Sequence, residues 1–223
     1  VRGWLAVLSK IFYFLVKNAY LIFFRIFNRL TVLNRERIPK KRPLILASNH
    51  CSNLDPPVVG SVFEERMRYI AKASLFQPAL FGFALRALGA VPVSREDERK
   101  AALVLKTFLG FLESGQNVLI FPEGKRSEDG TLQPLEGGVA LLSQKSGCPI
   151  QPVHVSGTFA ALPTGSIFPR PVKIVMNYGY PIDPEEMPAA LSEKAGRAWI
   201  LERLSSEYRR LENESAAYRN GRI

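Results

Sequence analysis

Pro43-Leu44-Ile45-Leu46-Ala47-Ser48-Asn49-His50-Cys51-Ser52-Asn53-Leu54-Asp55-Pro56-Pro57 is the stretch from which the fold can be read. Its first half is an apolar run without polar alternation, the pattern of a strand covered on both faces. Pro56 and Pro57 suit the first positions of a helix, where an amide has no intrahelical partner to lose. A buried strand passing straight into a helix opens a strand–helix–strand unit, and ligands of such units sit beyond the strand's carboxyl end. The intervening turn carries His50, one of only two histidines in 223 residues. On a continuous helix His50 and Asp55 would lie about 140° apart. They can meet only if His50 lies in the turn before the helix. There the carboxylate can bond one ring nitrogen and leave the other to take a proton. The alternative is a histidine satisfied by the helix N-terminus, with Asp55 as its cap.

Outward from this stretch, short apolar runs alternate with longer helical patterns. Residues 44–48, 69–71, 90–93, 117–121, 149–155 and 172–178 read as strands. Residues 56–65, 75–88, 96–114, 136–146 and 192–213 read as helices. This alternation predicts an α/β domain over residues 43–223, a largely parallel mixed sheet covered by helices. His50, Lys72, Arg95 and Pro122-Glu123-Gly124 all fall just after predicted strands, which gathers them at one edge of the sheet. Helix 75–88 is apolar almost all round, so it is a buried core helix, the wall of a groove for a hydrocarbon chain, or a second membrane contact.

Phe121-Pro122-Glu123-Gly124-Lys125-Arg126-Ser127 is the second stretch with chemistry in it. Gly124 permits a close backbone approach, and Arg126 offers a planar fork that matches a phosphate. Glu123 beside a phosphate site is unfavourable unless it pairs an arginine or grips a hydroxyl, and a glycerol phosphate has both kinds of group. The Gly-Lys pair is not a P-loop, because the position of the first glycine is Leu119. The alternative for this stretch is a charged β-turn, and for Lys72 and Arg95 a pair of surface cations. His154, inside an apolar run, reads as a satisfied strand histidine.

The charge is uneven. Residues 1–42 hold ten Lys/Arg and a single acid, Glu36, whereas the other 181 residues hold twenty basic and nineteen acidic. The basicity thus belongs to an N-terminal segment in which Lys10, Lys17, Arg25 and Arg29 interrupt an aromatic, aliphatic run too often for a simple transmembrane span. On a helical projection Lys10, Lys17, Asn18, Arg25, Asn28 and Arg29 fall within about 120° of one another. Trp4, Leu5, Leu8, Phe12, Leu15, Tyr20, Phe23, Phe24 and Phe27 cover the rest. Residues 1–42 are therefore expected to be an amphipathic membrane anchor, one helix or a helical hairpin, ending in a basic collar from Arg35 to Arg42. The alternative is a helix packed on the domain's own core. Basic residues sharing a helix with an oily face suit nucleic acid poorly. Cys51 and Cys148 make no disulfide framework, and two cysteines with two histidines are a thin inventory for zinc. No metal site or cofactor is expected.

In order, Asn49-His50-x4-Asp55, then Gly89 to Arg95, then Phe121-Pro122-Glu123-Gly124-x-Arg126-Ser127, then Pro149–Val155 resemble the four blocks of the glycerolipid acyltransferases. The likeness spans about residues 40–180 and is greatest to the bacterial 1-acyl-sn-glycerol-3-phosphate acyltransferases. It departs at Lys125, where threonine is usual, and at Pro92 and Ser94, where an aromatic and an acidic residue are common. The resemblance implies a glycerol-3-phosphate acyltransferase-like fold and transfer of a fatty acyl group from a thioester, acyl-CoA or acyl carrier protein, to the sn-2 hydroxyl of lysophosphatidate. It implies His50 as the base and Asp55 as its orienting partner. Glu123, Gly124, Arg126 and Ser127 would bind the acceptor, with Arg95 and Lys72 on its phosphate. It also implies a peripheral or monotopic protein on the membrane phospholipid surface, at the cytoplasmic face. No Gly-x-Ser-x-Gly elbow is present, which argues against a serine hydrolase. The competing readings are another acceptor, glycerol 3-phosphate or an aminolipid, and a non-catalytic lipid-binding protein.

Overall fold

The computed structural model describes residues 2–40, 43–77, 82–83, 85–86, 88–93 and 99–221. Among the described residues seven strands form one sheet: β1 (Thr31–Leu33), β2 (Ile45–Ser48), β3 (Met67–Lys72), β4 (Ala90–Val93), β5 (Asn117–Ile120), β6 (Ile150–Ser156) and β7 (Val175–Tyr178). The helices are α1 (Arg2–Phe27), α2 (Asp55–Val62), α3 (Arg99–Glu113), α4 (Gly138–Ser146), α5 (Thr158–Ala161) and α6 (Glu193–Arg219).

The sheet runs β1-β7-β6-β2-β5-β3-β4. All neighbours are parallel except β6 and β7. β2 lies at the centre, with Ile45 opposite both Val118 and Ile150. Its alternate residues feed two different cores, which is why the run shows no polar alternation. Leu44 and Leu46 pack with Val58, Val59, Phe24 and Val155 on the side of α1 and α2. Ile45 and Ala47 pack with Phe108, Leu142, Ile200 and Leu204 on the side of α3, α4 and α6. A largely parallel, helix-covered mixed sheet is thus the architecture, as the strand–helix alternation predicts.

The N-terminal segment differs from expectation. α1 is one continuous helix that ends at Phe27, and the chain then enters the sheet as β1, pairing Thr31–Leu33 with Val175–Asn177. The break has a clear cause. Asn28 is fully buried, and its side-chain amide donates to the carbonyls of Arg170 and Val172, both at 3.0 Å. Arg29 then takes a left-handed φ of 47°. The α/β unit therefore begins before residue 43, and the expected boundary at residue 42 is corrected to one near the end of α1. The helix also packs on the domain: Phe24 is wholly buried, Lys17 Nζ donates to the Glu64 carbonyl at 2.7 Å, and the Tyr13 hydroxyl donates to that of Glu65 at 3.3 Å. Its opposite face stays open. Val7, Ile11, Phe14, Leu15, Ile22 and Ile26 are all exposed and fall within about 120° on the helical projection. Among the described residues no helix is long and apolar enough to cross a membrane.

Of the expected helix 75–88, Ala73–Phe76 form a 3-10 turn, while residues 78–81, 84 and 87 lie outside the described residues. α6 extends past the expected residue 213 to Arg219, opened by Ser192, whose hydroxyl accepts from the Ala195 amide at 3.3 Å.

Candidate active site

His50 occupies the turn between β2 and α2, at the carboxyl end of the central strand. Its Nδ1 lies 2.9 Å from Asp55 Oδ2. The same carboxylate oxygen accepts the amides of Cys51 and Ser52, each at 2.7 Å. Asp55 is fully buried at the first turn of α2, where the helix dipole favours a carboxylate. A carboxylate in this position accepts, so Nδ1 carries the hydrogen and Nε2 holds the free lone pair. The imidazole stacks on Phe121, with ring centroids 4.1 Å apart and planes inclined by 23°. Of the His50 side chain, 13% remains accessible.

The second stretch wraps around the first. His50 N donates to Glu123 Oε1 at 2.6 Å, and Ser127 N donates to the His50 carbonyl at 2.8 Å. Both main-chain groups of the histidine are therefore held by the 121–127 loop. Glu123 Oε2 accepts from Gln133 N at 2.8 Å, so each carboxylate oxygen already serves a backbone amide. Burial raises the Glu123 carboxyl above its ordinary range, and those two amides oppose the rise. Glu123, expected to grip the acceptor, is buried and braces the histidine's backbone. Ser127 is buried as well: its hydroxyl donates to Asp129 Oδ1 at 2.9 Å and accepts from Gly130 N at 3.0 Å. Hydrogen bonds from Thr131 and Ser127 hold the exposed Asp129 carboxyl down at about 2.

Gly124 is exposed and Arg126 half-buried. Gly124 has φ 70° in a turn closed by its amide on the Phe121 carbonyl at 3.1 Å, and a Cβ there would meet Glu136 Cγ at 3.3 Å. Arg126 is half-buried and forms no ion pair among the described residues. Lys72 closes β3 at this same end of the sheet. Arg95 lies outside the described residues.

Two contributors to the site had no signal in the sequence beyond their neighbourhood. Asn49 pairs reciprocally with Val155 of β6, its Oδ1 accepting from the Val155 amide at 2.7 Å and its Nδ2 donating to that carbonyl at 3.0 Å. Phe121 supplies the stacking ring. The nearby nucleophile types are all engaged. Burial pushes the Cys51 thiol up to about 12, and its sulfur sits 3.3 Å from the Thr158 hydroxyl. Ser48 and Ser52 donate to the carbonyls of Asn49 and Leu162. His154 is the satisfied strand histidine expected of it: buried, its Nδ1 3.2 Å from the Ser215 hydroxyl, and lowered by burial to about 4.

A histidine whose Nδ1 is held by a buried carboxylate and whose Nε2 is free can take a proton from a hydroxyl. The chain is similar to several known proteins. The chain is 33% identical over 141 residues to the chloroplastic 1-acyl-sn-glycerol-3-phosphate acyltransferase of Brassica napus, covering 63% of this chain and 41% of that protein. It is 27% identical over 198 residues to the 1-acyl-sn-glycerol-3-phosphate acyltransferase of Bacillus subtilis strain 168, covering 88% and 95% of the two. The crystal structure of the 1-acyl-sn-glycerophosphate acyltransferase from Thermotoga maritima is similar with a TM-score of 0.71 and 26% identity, over 93% of this chain and 80% of that one. The chain spans two-fifths to one-half of the length of the plant and algal relatives it matches. The model of the family described as Acyltransferase matches residues 29–156, which run from the end of α1 through β6 and take in His50, Asp55 and the 121–127 loop. The chain belongs to the acyltransferase family.

Proposed function

We propose that this protein is a 1-acyl-sn-glycerol-3-phosphate acyltransferase that converts lysophosphatidate to phosphatidic acid by direct transfer from an acyl thioester. The observation that carries the reading is the His50 Nδ1–Asp55 Oδ2 contact of 2.9 Å, which leaves Nε2 as the acceptor of a proton. His50 takes the proton of the sn-2 hydroxyl while that oxygen attacks the thioester carbonyl. The C–S bond then breaks, and the proton passes from His50 to the departing thiolate. Asp55 holds the ring and stabilises the imidazolium between these steps. Direct transfer is supported by the absence of a free nucleophile among the described residues of the turn: the thiol of Cys51 is raised far above neutrality, and Ser48 and Ser52 are hydrogen-bonded. The amides of Cys51 and Ser52 are committed to Asp55, so the developing oxyanion meets another backbone N–H near the helix start or Lys72. Arg126 and Gly124 receive the acceptor phosphate, with Arg95 a further cation for it. The donor is acyl-CoA or acyl carrier protein.

The acceptor is amphiphilic, so the enzyme works at a membrane surface. α1 is its anchor, lying in the headgroup region of the cytoplasmic face with the stripe from Val7 to Ile26 turned into the acyl boundary. That stripe is about 29 Å long, and residues 1–35 contain six basic residues and no acid. Release of free thiol from acyl-CoA on addition of lysophosphatidate tests the activity. Native protein should release it, and His50→Ala should be slower by roughly 10²–10⁴-fold. Equal rates in the two proteins would refute the mechanism.

A further inference from the structure

Among the described residues Ile167 and Phe168 are the most exposed of the large apolar side chains, at 83% and 82%. They are adjacent, at the tip of the loop between α5 and β7, and no part of the site described above uses them. Isolated surface leucines or isoleucines call for no explanation, but two neighbouring bulky ones on a short, pinned loop do.

The loop is a closed one. Arg170 N donates to the Ala161 carbonyl at 2.7 Å, so residues 162–169 leave the domain and return to the same point. Its outgoing end is tied to the His50 turn, because Ser52 Oγ donates to the Leu162 carbonyl at 3.0 Å and Cys51 Sγ meets Thr158. Its returning end is tied to the end of α1. The Asn28 amide bonds the carbonyls of Arg170 and Val172, the Arg29 guanidinium bonds that of Pro171 at 3.3 Å, and Ile174 N donates to the Asn28 carbonyl at 3.0 Å. One loop therefore joins the proposed catalytic turn to the proposed anchor.

Its charge selects the partner. Residues 157–174 contain Arg170 and Lys173 and no acid, and the exposed Arg25 and Arg29 stand at the adjoining end of α1. An oily tip on a loop whose only charges are basic complements an anionic bilayer, where rings enter the acyl boundary and guanidinium groups stay among the phosphates.

We infer that the Ile167-Phe168 tip is a second bilayer-insertion element, which seats the His50 turn at the membrane surface together with α1. The inference rests on the membrane reading of α1 and adds to it a fixed second point. Two points of attachment fix an orientation, which a single helix lying in the interface does not.

The test uses the full chain with vesicles of mixed phosphatidylcholine and phosphatidylglycerol. The Phe168→Trp variant should shift its emission to the blue on binding and be quenched by acyl-chain-brominated lipid, beyond the change shown by native protein with its own two tryptophans. Ile167→Ser/Phe168→Ser should partition roughly tenfold more weakly. Both positions are exposed, so the native circular dichroism should be retained. A variant that binds vesicles while the introduced indole stays unshifted and unquenched overturns this proposal and leaves the α1 reading standing. Native protein that does not bind anionic vesicles overturns both. Acyl transfer to a short-chain acceptor dissolved as monomers, unchanged in the double variant, supports the proposal. Loss of that activity places the loop's role in the site itself and overturns it.

Discussion

Glu123 Oε1 accepts the main-chain amide of His50 at 2.6 Å, and its partner oxygen accepts that of Gln133. One carboxylate thus fastens the histidine of the first motif to the loop of the second. In Glu123→Gln only one side-chain atom can accept, so a buried amide loses its partner at a cost of about 1–3 kcal/mol in stability. If Glu123 positions His50, kcat should fall while the acceptor KM stays near native. Steady-state kinetics over a lysophosphatidate series separate the two constants. A raised KM with native kcat would return Glu123 to the role of acceptor ligand.

Asp55 divides its work differently, since a single oxygen takes the imidazole and two amides. Asp55→Asn retains an accepting oxygen but removes the charge opposite the imidazolium. It should fold as the native chain does and lose on the order of a hundredfold or more in kcat. Asp55→Ala also leaves two buried amides unpaired and should lower stability by about 2–6 kcal/mol. Chemical unfolding of both variants beside their kcat values checks this. Equal loss of stability in the two would show that the carboxylate's charge holds the fold.

Arg126 is a half-buried cation, in no ion pair among the described residues, on the loop that holds His50. Arg126→Ala should raise the acceptor KM by about tenfold or more with kcat changed little, as expected where a charge-assisted hydrogen bond is lost from binding. Arg126→Lys should recover only part, because an ammonium cannot form the two-pronged contact. An unchanged KM in the alanine variant removes Arg126 from the phosphate site.

What could be read in advance follows from where the physics is local. Leu44–Ser48 was readable as a central strand because both faces are buried, and burial on both faces writes itself as an unbroken apolar run. The meeting of His50 with Asp55 was readable because a five-residue interval across a strand-to-helix turn has few geometries. β1 was not: three residues at a sheet edge are held by pairing with β7, more than 140 positions away. Nor was the orientation of α1. A cationic stripe reads as a solvated face, yet Lys17 turns inward to the Glu64 carbonyl while Phe14 and Ile26 face out. Glu123 shows the same limit at the site, for composition places a carboxylate beside an arginine without saying which amide it serves.

His154 gives the fold a pH dependence whose sign follows from its burial. An unfolded histidine takes up its proton near 6.5, whereas the folded one, desolvated between β6 and α6, resists protonation down to about 4. Between those values the unfolded state binds more protons, so stability is full above about pH 6.5 and falls as pH drops through the window. The loss from this group is roughly 3 kcal/mol once pH reaches the folded value. His154→Gln keeps a polar partner for Ser215 and cannot titrate. Urea unfolding at about pH 7.5 and about pH 4.5 should therefore show a smaller acid-dependent loss in the variant than in native protein. Equal losses would mean that His154 is protonated in the fold and that other groups set its acid sensitivity.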